Sequence, residues 1–250
     1  MIASAASRRL ERWSPVEWKT RVDLAACYRL ISQFQMADLV LPHLSARVPG
    51  TEHFLLNASG LPSQEITASN LVKIHLHNAV EEEIARLANA ACFAVPSALY
   101  RARTDVHCLV HTQTPAGIAV SCRGEGLLPL SQVALQFYDR LAYHACEGMG
   151  IDMNEGDRIA RDLGGGKAMI LRNNGLLTAG STVPEAFTLM FYLERACQIQ
   201  VAALSTGREL IAPGPEVCAK VGRQFDRPRG GREWRALVRQ LDREDPSYRE

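Results

Sequence analysis

Residues 184–206 set the hardest condition on any fold this chain can adopt. Phe187, Met190, Phe191, Leu193 and Cys197 cover more of a helical surface than one buried stripe needs, while Ala186 and Ala203 leave room for close neighbours. Pro184 suits a first turn and Gly207 a C-terminal stop, so the segment reads as one long helix. Such a helix has to be covered from more than one side. The rest of the chain must supply the layers.

The upstream sequence offers both helices and strands. Residues 14–35 read as a helix capped by Ser14, with Pro15 in its first turn, Glu17 completing a capping box, and Val22, Ala25, Ala26, Leu30 and Ile31 as its apolar stripe. Strand-like pieces follow at HLSARV and HFLLNAS, broken by Pro49-Gly50 and Gly60-Leu61-Pro62, and again at residues 71–76 before Asn78. Residues 82–89 are polar on one side and suit a ligand rim or a subunit contact. The pattern then predicts a helix over 96–103, a buried strand over 106–112, a long helix over 131–148 and a shorter one over 157–163. A strand over 168–172 ends in the turn Asn173-Asn174-Gly175 before a further strand over 176–178. Beyond Pro213 the composition becomes charged and rich in Gly, Pro and Arg, and residues 233–241 form a short helix whose Trp234, Leu237 and Leu241 need a docking surface, on this chain or on a neighbouring subunit. The expected organisation is a main domain over 1–212 and a tail with a docking helix over 213–250.

Composition narrows the function classes. A chain of 250 residues with 47% hydrophobic and 22% charged residues can build a full core. A formal charge of +1 gives no general attraction to nucleic acid or acidic membranes, and no basic stripe interleaves with aromatics. No apolar run approaches the roughly 18 residues of a membrane span. The first ten residues are too short and too weakly apolar for a secretory signal, and the seven cysteines form no CxxC pair. Buried free thiols and a cytoplasmic location are expected. No glycine-rich loop has phosphate-loop or dinucleotide spacing, and Gly164-Gly165-Gly166-Lys167 reads as a turn.

The segment His107-Cys108-Leu109-Val110-His111-Thr112-Gln113 carries the densest chemistry. On a strand, His107, His111 and Gln113 share a face. This pattern fits a metal site completed from elsewhere, a catalytic or binding histidine, or structural hydrogen bonding. His75 and His77 share a face in the same way, with a solvated strand as the plain alternative. Within the expected helix over 131–148, Tyr143, His144 and Glu147 sit three and four residues apart, as one end of a pocket or as a buried network. The turns at 57–60 and 173–175 present backbone N–H groups suited to a phosphate or carboxylate.

The order of motifs adds a further reading. HLSARVPG, FLLNASG, EITASNLVKI, YRARTDVHCLVHTQTPAGIAVS, EGLLPLSQVAL, AYHACEG, AMILRNNGLLTAG and EAFTLMFYLERACQIQ, in this order over roughly residues 20–210, resemble the class II aldolase/adducin family, and within it the adducin-like bacterial branch. The resemblance implies a three-layer α/β/α fold around a mainly antiparallel sheet, and a tetramer with pockets at subunit contacts. Catalytic members hold a divalent metal, usually zinc, with three histidines, and use it to polarise a carbonyl or stabilise an enediolate. Two of those ligands form a His-x-His pair, here His111 and Gln113; the third lies in an Arg-Asn-His-Gly turn, here at Asn174. The catalytic carboxylate expected near residues 91–96 is also replaced. One imidazole and two amides make a poor metal set, and His107 lies about 13 Å along the strand from His111.

The resemblance therefore implies no tightly bound cofactor, with a weak zinc site as the remaining metal option. The expected catalytic set is His111, Gln113, Asn174, Tyr143 and His144. An anion-holding corner is expected from His43, Ser45, Arg47, Ser59 and Gly60, with His43 standing where sugar-phosphate aldolases carry asparagine. Three functions follow: metal-free acid/base or lyase chemistry on a small carbonyl or carboxylate compound; a non-catalytic binding or scaffold protein of the adducin type; and a conventional metal-dependent aldolase with a weakened site. The expected partners are a small molecule and further copies of the chain as a homotetramer, without nucleic acid or membrane.

Overall fold

The structure, a computed structural model, describes residues 12–39, 43–77, 91–148, 153–226 and 230–250. The expectations placed on 82–89 and on the first ten residues lie outside these. Helix α1 (Pro15–Gln33) begins where Ser14 accepts the Glu17 N–H at 3.2 Å. Glu17 does not return the bond as a capping box would: the residue is 5% exposed, and its carboxylate pairs with Arg21 at 3.0 Å and Lys73 at 2.7 Å. Two cations outbid one backbone N–H for the same oxygens.

Among the described residues seven strands form one sheet: β1 (His43–Arg47), β2 (His53–Leu56), β3 (Val72–His75), β4 (Cys108–Thr112), β5 (Leu141–His144), β6 (Ala168–Leu171) and β7 (Gly175–Gly180), in the order β3-β2-β1-β4-β7-β6-β5. Every pairing is antiparallel except β5 with β6, which is parallel. Alternation divides the sheet cleanly. Leu44, Leu55, Val110, Ile170 and Leu176 face one core with α1 and the long helix α5 (Val183–Ser205). Phe54, Leu109, Met169 and Leu177 face the other, covered by α2 (Ala91–Ala102) and α4 (Met153–Leu163). Between β4 and β5 lies the short α3 (Pro115–Ser121). The result is a three-layer α/β/α fold around a mostly antiparallel sheet, and the multi-sided burial expected of α5 follows from its contacts with β7, α3 and α1.

Three local expectations give way. Residues 131–148 are not a helix: a single 3-10 turn (Ala134–Phe137) leads through Asp139, at φ +57°, into β5. Strand pairing with β6 overrides local helical spacing there. Strand β3 ends at His75, so His77 leaves its face; the His77 N–H instead donates to His75 Nδ1 at 3.2 Å. The tail holds two helices, α6 (Pro215–Arg223) and α7 (Gly231–Glu244). Helix α7 docks within its own chain: Trp234 packs edge-on against Phe187 of α5 at 5.7 Å, and Leu241 joins the α1 side of the core. Cys27, Cys108, Cys197 and Cys218 are buried free thiols, and Cys122 and Cys146 are exposed ones.

Candidate functional site

One end of the sheet collects the start of β1, the ends of β4, β5 and β6, and the start of β7. Register places His43 directly opposite His111, and the two rings lie 5.9 Å apart, tilted by 43°. The chain leaves β4 through Gln113 and turns into α3. It also leaves β6 through Asn173, at φ +58°, and Asn174 before β7. Gly175 has to follow, because a Cβ there would stand 2.2 Å from the Thr112 carbonyl oxygen. That close approach of β7 to β4 swings Asn174 over the β4 terminus.

The three positions meet at one atom. Asn174 Oδ1 lies 2.9 Å from His111 Nε2 and accepts from Gln113 Nε2 at 3.2 Å. With Asn174 Oδ1 facing the ring, a carbonyl oxygen only accepts, so in that arrangement His111 Nε2 carries the proton and Nδ1 the lone pair. Turning both amides over would make Asn174 the donor to Nε2; that nitrogen is engaged in either arrangement. Burial lowers the pKa of His111, and the Asn174 bond works weakly against it. Burial, reinforced by neighbouring His111, brings His43 down to about 4. Burial thus favours the neutral form of both rings.

The other expected residues are placed apart. His144 is 4% exposed, with Nδ1 2.6 Å from Asp162 Oδ2, and Nε2 3.7 Å from Glu147 Oε1. It belongs to β5, three strands from β4 and therefore about 14 Å across the sheet. Tyr143, its neighbour on a strand, points to the opposite face; its hydroxyl accepts the Leu127 N–H at 3.1 Å, and Arg172 stacks on its ring at 4.4 Å. Ser59 and Gly60 follow β2 at the His43 end, with Gly60 at φ +82°. Ser45 points instead at Tyr100, hydroxyl to hydroxyl at 2.9 Å. Arg47 lies at the far end of β1, where its guanidinium donates to the Tyr100 carbonyl and, at 3.4 Å, to that of Arg103. His107 also lies beyond the start of β4, in a cavity of about 520 Å³ shared with Lys19, Asp23 and Arg47. Arg47 is thus separated from the end of the sheet that holds His43, Ser59 and Gly60, with Ser45 between them on β1.

Sequence reasoning missed the support behind Gln113. Thr114 caps α3 by accepting the Gly117 N–H at 3.1 Å and donates its own proton to Glu194 of α5. Glu194 is 4% exposed and accepts from Gln198 Nε2 at 2.8 Å. The available signal was an acid in the middle of a mostly apolar helix.

Among the described residues no group of three or more His, Cys, Asp or Glu side chains is placed to hold a metal ion. The donor set itself does not suit zinc: one imidazole, already engaged through Nε2, and two neutral amides. No described helix is long and apolar enough to cross a membrane.

Known proteins resemble this chain in sequence and in fold. A Pseudomonas aeruginosa protein carrying the aldolase class 2 name is 46% identical over 244 residues, spanning 95% of this chain and 94% of that one. Mouse alpha-adducin is 43% identical over 200 residues, 78% of this chain but only 26% of the adducin. Among solved structures, an aldolase II superfamily protein from Pseudomonas syringae superposes with a TM-score of 0.90 at 46% identity, covering 97% of this chain and 100% of that one. An L-fuculose 1-phosphate aldolase from Glaciozyma antarctica superposes with a TM-score of 0.80 at 26% identity, covering 100% and 96%. Residues 22–201 match the family described as the class II aldolase and adducin N-terminal domain, and on that match and these identities the chain belongs to the class II aldolase and adducin family.

Proposed function

We propose that the chain binds a small carbonyl or carboxylate compound at His111, Gln113 and Asn174 and moves protons on it without a tightly bound metal. The supporting observation is the shared Asn174 oxygen, 2.9 Å from His111 Nε2 and 3.2 Å from Gln113 Nε2. In this reading, the positions that hold zinc in catalytic relatives satisfy one another by hydrogen bonds. His111, neutral and with its tautomer held by Asn174, acts as the base. The amides of Gln113 and Asn174 orient the compound's oxygens and supply donors to charge developing there. Engagement of Arg47 and Ser45 with Tyr100 and the presence of His43 argue against a phosphorylated sugar. Tyr143 and His144 remain outside the proposed proton transfer.

A second reading, binding without turnover as in an adducin-type scaffold, draws on the 43% identity with mouse alpha-adducin and the degenerate ligand positions. One experiment orders the alternatives. Protein purified without chelator is analysed for metals and for co-purified small molecules, and any retained compound is incubated with the protein in D2O. The expected result is no stoichiometric metal, a carbonyl or carboxylate compound lost in His111→Ala, and deuterium entering that compound. Retention without deuterium supports the scaffold reading. One zinc, iron or manganese per chain, kept through dialysis and lost in His111→Ala, would refute the metal-free site. The reading also includes assembly as a homotetramer in the cytoplasm. Light scattering that returns the 27.6 kDa of one chain would overturn the assembly.

A further inference from the structure

We infer that Glu194 is a positioning residue for the Gln113–Asn174 amide pair, acting through Thr114 and helix α3. This rests on the proposed site and adds to it a residue that never touches the ligand. The chain of contacts is short. Glu194, in the middle of α5, takes the Thr114 hydroxyl proton, and Thr114 directly follows Gln113. The same hydroxyl oxygen caps α3 through the Gly117 N–H at 3.1 Å. At the other end of α3, the Ser121 carbonyl accepts the Asn173 N–H at 3.5 Å. A single helical block is therefore tied to Gln113 at its start and to the Asn174 turn at its end. The packing leaves it no slack: a Cβ on Gly117 would stand 2.8 Å from Thr114 Oγ1 and 2.9 Å from the Leu176 side chain.

The chemistry of the anchor also calls for explanation. A buried acid is costly where an alanine or leucine would extend the apolar stripe of α5. Glu194 accepts from two donors, Thr114 and Gln198, and among the described residues no basic side chain is hydrogen-bonded to it. An acceptor able to hold the Thr114 hydroxyl while that oxygen serves as a cap is what the elbow needs. Without it the hydroxyl would rotate, the cap would weaken, and Gln113 would be free to leave Asn174 Oδ1.

The test reads the site amides directly, without a ligand. Hydrogen exchange of the Gln113 and Asn174 side-chain NH2 groups is followed by NMR in the full chain. The variants are Glu194→Ala, Glu194→Gln, Gln113→Ala and, should Glu194→Ala fail to fold, Thr114→Val. In the parent protein the Gln113 amide should exchange slowly. Glu194→Ala or Thr114→Val should speed it about tenfold, the loss of one protecting contact worth about 1.4 kcal/mol. Glu194→Gln keeps an acceptor oxygen and should restore the slow rate. The inference is overturned if Glu194→Ala or Thr114→Val leaves the Gln113 rate within twofold of the parent while melting temperature falls, for the acid would then be only structural. A different failure identifies the site reading itself as wrong: a Gln113 amide that exchanges fast in the parent, with an Asn174 amide indifferent to Gln113→Ala.

Discussion

Replacing Gln113 and Asn174 together by histidine should create a zinc site where the parent chain has none of comparable strength. The structure supplies the spacing. Around an ion with bonds of about 2.0–2.1 Å, tetrahedral ligand atoms lie roughly 3.3 Å apart. Asn174 Oδ1 already stands 2.9 Å from His111 Nε2, and 3.2 Å from Gln113 Nε2. Structural zinc sites contribute about 10–16 kcal/mol through four ligands, or about 3 kcal/mol for each. Two added imidazoles therefore gain about 6 kcal/mol, from which about 2 kcal/mol is subtracted for the two hydrogen bonds lost around Asn174. A net 4 kcal/mol corresponds to roughly a thousandfold in affinity. Competition against a chromophoric chelator measures this, and melting should rise with free zinc only in the double variant. Adding His111→Ala to that background should remove most of the gain. Parent and double-variant affinities within tenfold of each other would refute the reasoning, because the amides would then be serving as adequate ligands.

Other outcomes follow from the same geometry. Glu17→Ala leaves Arg21, 3% exposed, without its carboxylate and should cost about 3–5 kcal/mol in denaturant unfolding. Burial acts to raise the Glu17 pKa, but the Lys73 and Arg21 bonds outweigh it and the net direction is down, so this contribution is present above the unfolded carboxylate value and lost as pH falls through the folded one. Glu194 has the opposite sign: burial raises its pKa despite the Thr114 and Gln198 bonds, so its favourable contribution is complete below the unfolded value and disappears as pH rises through the folded one. Glu194→Gln should flatten that part of a stability–pH curve. Trp234→Ala should cost about 3–5 kcal/mol in a monomer-resolving unfolding assay, since its ring packs on Phe187 of the same chain. A neutral result would place that contact outside the cooperative unit.

Much of the architecture is legible locally. The cap at Ser14, prolines in the first turns of α1 and α5, and period-two apolar runs around Leu44, Leu109 and Met169 fix those elements close to their true bounds. They act within a few residues, where the sequence contains both partners. The ordered motifs single out His111, Gln113 and Asn174, and these meet at the Asn174 oxygen because Gln113 directly follows β4 and a tight turn presents Asn174. Residues 131–148 resist such reading: β5 forms only because β6 offers it a parallel edge, and β6 lies more than twenty residues downstream. Tyr143 and His144 therefore point to opposite faces rather than along one helix. The separation of Arg47 from the rest of the anion corner has the same origin. Ser45 and Arg47 alternate with His43 on one face, but their partners come from the far end of α2, which only the layered packing places there. The Thr114–Glu194 contact spans 80 residues and depends on α5 lying behind the elbow of β4. The sequence by itself determined the elements and their apolar faces, through local sterics and periodicity. Only the tertiary structure decided which polar groups meet, because hydrogen bonds over such separations exist only once the two cores have closed around the sheet.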